Sequence, residues 1–140
     1  MNRANGEARD NLGSALATRA SLLARLDRTD EAIAHYRRAL QLNADLPAAL
    51  VDLAWILATS DRHDVHAPEE AVRLAERAAQ VTKGQDALVL ETLAVAYFSA
   101  DRLDRAVSTA QAALELASTT GRDDLAADIR RRLESFKRAR

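Results

Sequence analysis

The chain contains no cysteine. That absence removes disulfide frameworks, thiol nucleophiles and every zinc site built on thiolates, and it fits a reducing compartment. Aromatic residues make up only 4 % of the 140 residues, and Val, Ile and Thr are also too few to supply the β-branched and aromatic faces of a sheet. No stretch approaches the 18 or so uncharged apolar residues of a membrane span, and the polar start MNRANGEARDN has no signal-peptide core. A soluble, cytoplasmic chain with no membrane insertion is therefore expected, whether it stands alone or belongs to a longer protein. There is no Gly-rich phosphate loop, no G-x-S-x-G elbow and no H-E-x-x-H pair, so neither catalysis nor a cofactor is expected.

Hydrophobic residues are 48 %, mostly Ala and Leu, the composition of helices packed with their backbones close together. At this length the chain reads as one domain, 1–140, able to bury roughly 70 % of its unfolded surface. One pattern of small and large apolar residues occurs three times. Ala32, Ala71 and Ala106 take matching places in DEAIAHYRRALQL, PEEAVRLAERAAQV and LDRAVSTAQAALEL. Ahead of them Leu16, Ala20 and Leu23 match Leu50, Ala54 and Leu57, and then Leu90, Ala94 and Tyr97, each trio at i, i+4, i+7 on one helical face. A unit of this kind cannot bury its apolar face alone and must stack on its neighbours.

These residues resemble the tetratricopeptide repeat family, whose 34-residue helix–turn–helix carries W-x₂-L-G-x₂-Y, then A-x₃-F, then P. The third unit supplies Leu90, Leu93, Ala94, Tyr97 and Ala106, and the second Leu50, Leu53, Ala54, Leu57, Ala71 and Ala78. The first supplies Leu16, Ala20, Leu23, Ala32, Tyr36 and Ala39, with Arg19 where Leu is usual. Every Trp slot holds Leu, every Gly slot holds Ala, and the closing Pro is replaced by Ala44, Lys83 and Ser118. The resemblance implies an all-α, right-handed α-solenoid of three repeats, at about 13–46, 47–85 and 87–120, with a capping helix at about 122–138. Successive alanines stand 39 and then 35 residues apart. Five extra residues therefore fall in the second unit's turn.

Helices are expected from about Glu7 to Leu26, with Leu12, Leu16, Ala20 and Leu23 buried, and on to near Asn43, with Asp30 as a cap or first-turn acid. Pro47 and Pro68 suit first helical turns, and Gly84 and Gly121 suit helix ends. Further helices are expected from about Asp86 to Ser99 and from Leu103 to Ala117. In the last segment Leu125, Ile129, Leu133 and Phe136 form one stripe, as a terminal cap requires.

His63, Asp64 and His66, near Asp61 and Glu69, have metal-binding side chains but no defined ligand spacing. SDRHDVHA is accordingly read as a mobile, solvated loop, and His35 as a surface histidine. Residues 128–140 carry a local balance of +4 in a chain of net charge −1. Complementing a helix dipole and solvating a cap account for that, so nucleic-acid binding is not expected.

The resemblance further implies that the first helix of each unit lines a concave groove. Carried over, it places Ala17, Ser21 and Arg25, then Val51, Asp52, Trp55 and Thr59, then Leu88, Glu91, Val95, Phe98 and Ser99 on that surface. Family members that clamp a peptide carboxylate use Lys, Arg and Asn on these helices, whereas this chain has Ala17, Ser21, Asp52 and Glu91 at such places. The expected role is non-catalytic recognition of a protein partner, a helix or extended peptide, around Trp55 and Phe98. The alternative is an assembly element, joining copies of the chain in a homo-oligomer or packing on the rest of a larger protein. VDLAWILA and LVLETLAVAYF are also apolar on several sides, as helices buried between neighbours are.

Overall fold

The computed structural model describes residues 3–139. Within them are seven helices and no strand: α1 (Arg3–Arg25), α2 (Thr29–Leu42), α3 (Pro47–Thr59), α4 (Pro68–Val81), α5 (Ala87–Ser99), α6 (Leu103–Thr119) and α7 (Asp123–Arg138). This is an all-α helical repeat, three helix–turn–helix units followed by a closing helix. Contacts divide the chain into two compact units, one through Leu53 and the other from Ala54 onward. None of the helices is long and apolar enough to cross a membrane.

In the first unit α1 and α2 form an antiparallel pair. Small residues set the spacing: Ala20, Ala32 and Ala39 are fully buried, and Tyr36 is the large side chain between the helices. A methyl group on Gly13 would stand 3.4 Å from the Ala39 carbonyl oxygen and 3.8 Å from Leu42 Cβ, so the last turn of α2 crosses α1 at Gly13. Everything in α1 before Gly13 extends past the end of α2. Two expectations are corrected here. The helix starts at Arg3, not near Glu7, and Leu12 is 48 % exposed instead of buried, on the side of α1 that also exposes Leu22 and Leu26. Asp30 lies in the first turn of α2, where it complements the helix dipole, and is not the cap.

The turn closing α1 recurs after α5. Asp27 and Asp101 both adopt φ +64°, and the next residue's N–H, of Arg28 or Arg102, donates over 2.9 Å to the carbonyl of Leu23 or Tyr97. This is the bond between the second residue past a helix and its last full turn, and Asp is among the few non-glycine residues that tolerate the left-handed conformation it needs. Gly121 does the same for α6 at φ +75° and lets that helix run to Thr119, two residues past the expected end.

In the second unit α5 packs between α4 and α6, and α7 lies on α6 with a lesser contact to α5. Asp86 caps α5 through Oδ1, which accepts from the N–H of Leu88 at 2.9 Å and of Val89 at 3.4 Å. Pro68 occupies the first turn of α4. Ile129 is fully buried in a cluster with Ala87, Ala113, Ala117 and Ala126, and Leu133 and Phe136 are buried beside it. The closing helix therefore covers the apolar side of the third repeat, as its stripe implied.

The long turn between α3 and α4 is more organised than a mobile loop. Val65, alone among polar neighbours, is buried, and the Ala67 N–H donates to the Leu57 carbonyl at 2.9 Å. Arg62 pairs with Asp64 at 2.7 Å, and that hydrogen bond holds the carboxyl below its ordinary range. One apolar residue thus pins an otherwise exposed segment. Substituting His63 and His66 together by Ala is expected to change stability by less than about 0.5 kcal/mol, whereas Val65→Ala should cost about 1–2 kcal/mol. Urea unfolding of the two variants checks this contrast, and zinc titration should show no stoichiometric tight binding.

Candidate partner-binding surfaces

The expected groove residues separate into two sets, one in each compact unit. In the first, Ala17, Ser21 and Arg25 of α1 and Asp52 of α3 line a hollow of about 400 Å³. Val51 is not part of it and is buried. The hollow is closed at its base by polar contacts, since the Tyr36 hydroxyl donates to Asp52 Oδ2 at 3.0 Å. Burial pushes the Asp52 carboxyl above the ordinary 3.8, with the bond from Tyr36 acting against it. Tyr36 is raised well above 10.0, first by burial and then by the charge and hydrogen bond of Asp52, while a hydrogen bond from Ser21 opposes the shift.

In the second unit Thr59 of α3 and Val95, Phe98 and Ser99 of α5 line a cleft of about 510 Å³. Its other wall is α7, through Asp128, Arg131, Arg132 and Phe136. Phe98 and Phe136 stack with centroids 4.6 Å apart and planes 16° from parallel, an arrangement worth about 0.5–1.5 kcal/mol beyond the area it buries. Arg131 pairs with Asp128 along the helix. Trp55, one turn before Thr59, lies half-buried under the Arg132 guanidinium, 5.2 Å above the ring centroid. The same Arg132 donates from Nε to Glu91 Oε2 at 3.3 Å. Glu91 is only 5 % exposed, so its charge is compensated by a cation from the closing helix. Leu88, at 45 % exposed, stands outside the cleft.

The cleft thus gathers Thr59, Val95 and Phe98, ties Trp55 and Glu91 to it through Arg132, and leaves out Leu88. Arg132 and Phe136 are the residues that reasoning on the inner helices missed. The stripe on α7 marks Phe136 as buried, but nothing in spacing places Arg132, 41 residues from Glu91, against it. A second buried tyrosine repeats the motif of the first: the Tyr97 hydroxyl donates to Glu76 Oε2 at 2.7 Å, and burial and that carboxylate raise its pKa. No buried side-chain nitrogen or oxygen among the described residues lacks a hydrogen-bond partner. The chemistry of both hollows is that of surfaces with fixed, satisfied polar groups.

One stretch of the chain matches a known family. Residues 13–46, from the α1–α2 crossing to the start of α3, match the tetratricopeptide repeat. The chain carries a tetratricopeptide repeat. No curated protein matches the chain. Tetratricopeptide repeats generally mediate protein–protein interaction and are typically non-catalytic modules. Beyond the matched repeat the small-residue register continues, with Ala71, Ala78, Ala94, Ala106 and Ala113 all fully buried. The basic tail extends along α7, where Arg130, Lys137 and Arg138 are exposed, while Arg140 lies outside the described residues.

Proposed function

We propose that the protein is a non-catalytic recognition module that holds a peptide or helix of a protein partner in the cleft between α5 and α7. The observation that carries this reading is Phe98. It is large, half-buried and stacked on Phe136, and it opens into a cleft already flanked by fixed charges. Interfaces draw most of their affinity from such anchors, an aromatic at the centre of a pocket with polar groups around its rim. Arg131 and Arg132 on one wall, with Val95 and Ala58 on the other, suit a segment that offers an apolar side chain next to a carboxylate or backbone carbonyl.

A random-peptide display library selected on the full chain tests the reading. Selected peptides are expected to lose about 2 kcal/mol or more of binding, roughly 30-fold, against Phe98→Ala, and to shift the emission of Trp55, the only tryptophan. Trp55→Ala should weaken binding on a similar scale while disturbing the fold less than Leu93→Ala, for which about 2–5 kcal/mol is expected. Peptides that bind Phe98→Ala as well as they bind the parent would place the site elsewhere. The assembly role draws its support from a different surface, the leucines exposed on α1.

A further inference from the structure

Six positions of α1 and its closing turn, Ala8, Leu12, Ala15, Arg19, Leu22 and Leu26, follow one another in steps of four and three, and all six are exposed. Leu22 is 52 % and Leu26 67 % exposed, although α1 buries Gly13, Ala17, Ala20 and Leu23 on its other side. Leu26 continues the helical register, its N–H donating to the Leu22 carbonyl at 3.1 Å. Such 4–3 spacing is the 3.5-residue stripe of a two-helix seam. Its first two positions, Ala8 and Leu12, stand on the overhang that α2 does not reach.

The stripe is complementary to itself when reversed. Set antiparallel about a two-fold axis at residue 17, Ala8 meets Leu26 of the second copy, Leu12 meets Leu22, and Ala15 meets Arg19. Small faces large at both ends and at the centre, and leucine faces leucine between. The parallel arrangement pairs leucine with leucine but is worse at the other three layers: it opposes Arg19 to Arg19 and leaves gaps where Ala8 meets Ala8 and Ala15 meets Ala15. In the reversed register the aliphatic stem of each Arg19 lies over an alanine, and its guanidinium extends to water at the edge of the seam.

We infer that α1 pairs antiparallel with α1 of a second copy of this chain. The area sets the strength. From Ala8 to Leu26 the stripe is about 27 Å long at 1.5 Å per residue, and at the ~10–12 Å width of a helix it offers about 300 Å² in projection. A standard stable interface uses about 800 Å² from each partner. The pair is therefore a weak, reversible dimer, monomeric in dilute solution and formed at high micromolar concentration. This inference stands on the unit ending at Leu53 and does not rest on the peptide cleft.

Sedimentation velocity over a dilution series should show mass rising towards twice that of the monomer, and Leu12→Asp with Leu22→Asp should weaken association at least tenfold. The absence of cysteine allows the register to be read directly. Chains carrying Ala15→Cys and chains carrying Arg19→Cys are oxidised separately and as a mixture. The mixed disulfide dimer is expected to dominate, because in the antiparallel register Ala15 and Arg19 stand level, with facing Cα atoms roughly 3.5–5.5 Å apart, whereas like positions are offset by about 6 Å along the axis and come to roughly 7–8 Å, at the limit of what a disulfide spans. Equal crosslinking of each variant with itself would overturn the inference. So would a mass that stays monomeric throughout, or association that the leucine changes leave untouched.

Discussion

Ending the chain at Gly121 is expected to yield a protein that unfolds or associates, not a shorter stable monomer. Loss of α7 uncovers Ala113 and Ala117, fully buried in the intact chain, together with the leucines packed around them. It also strips Phe98 of its stacked ring and Glu91 of its cation. The last of these leaves a buried carboxylate uncompensated, a deficit that breaking one side of an ion pair makes costly. Point changes divide the effect. Ile129→Ala should cost about 3–5 kcal/mol and Leu133→Ala about 2–4 kcal/mol, since both are buried against rigid helices. Arg132→Met, which keeps a stem over Trp55 but no charge for Glu91, should fall between surface and core changes. A truncated chain that remains monomeric with the parent's urea midpoint would show that α7 is not needed as a cap.

The second large effect is expected at Tyr36. Its ring is among the largest fully buried side chains, so Tyr36→Ala should cost about 3–5 kcal/mol, the scale of an aromatic removed from a core. Tyr36→Phe keeps the ring and removes only the donor to Asp52, a half-buried acceptor at the edge of the hollow, and should cost about 0.5–1.5 kcal/mol. The carboxylate itself acts in the other direction. Because burial raises Asp52 in the folded chain above its ordinary 3.8, the fold binds that proton more tightly than the unfolded chain does. The resulting stability is fully present below about pH 3.8 and is lost as pH rises through the folded-state value. Asp52→Asn retains an acceptor for the tyrosine and never ionises. It is therefore expected to be more stable than the parent near neutral pH and to lose that advantage in acid. An advantage that grew as pH fell would contradict the burial of this carboxyl. Tyr36 itself, raised above 10.0, contributes stability that is present below that pH and lost as pH rises beyond it.

Local pattern carried most of the helix bounds. Pro47 and Pro68 open α3 and α4 where expected, and the five extra residues lie in the α3–α4 turn. These features depend on residues within a few positions of each other. What spacing did not disclose depends on lengths and on distant partners. Leu12 fits the same helical stripe as Leu16 and Ala20, yet it stands at that stripe's edge, on the side of α1 where Leu22 and Leu26 also face water. Val65 is a single apolar residue in a polar string, too short a pattern to have a period, yet it anchors the turn. Arg132 reads as one of three consecutive arginines on a solvated cap, and its role follows from where α7 crosses α5. Phe98 and Val95 were legible as groove positions because α5 presents them by its own 3.6-residue period.

The Arg132–Trp55 contact has an experimental use. The sole indole stands on α3, and the cation over its face comes from the last helix. Emission therefore senses whether α7 is seated, while far-UV circular dichroism senses all seven helices. If the closing helix frays as a separate cooperative unit, as the ends of repeat arrays can, the optical transition in denaturant will precede the dichroic one. The gap between the two midpoints would then measure the opening free energy of a single helix, without any label added to the chain.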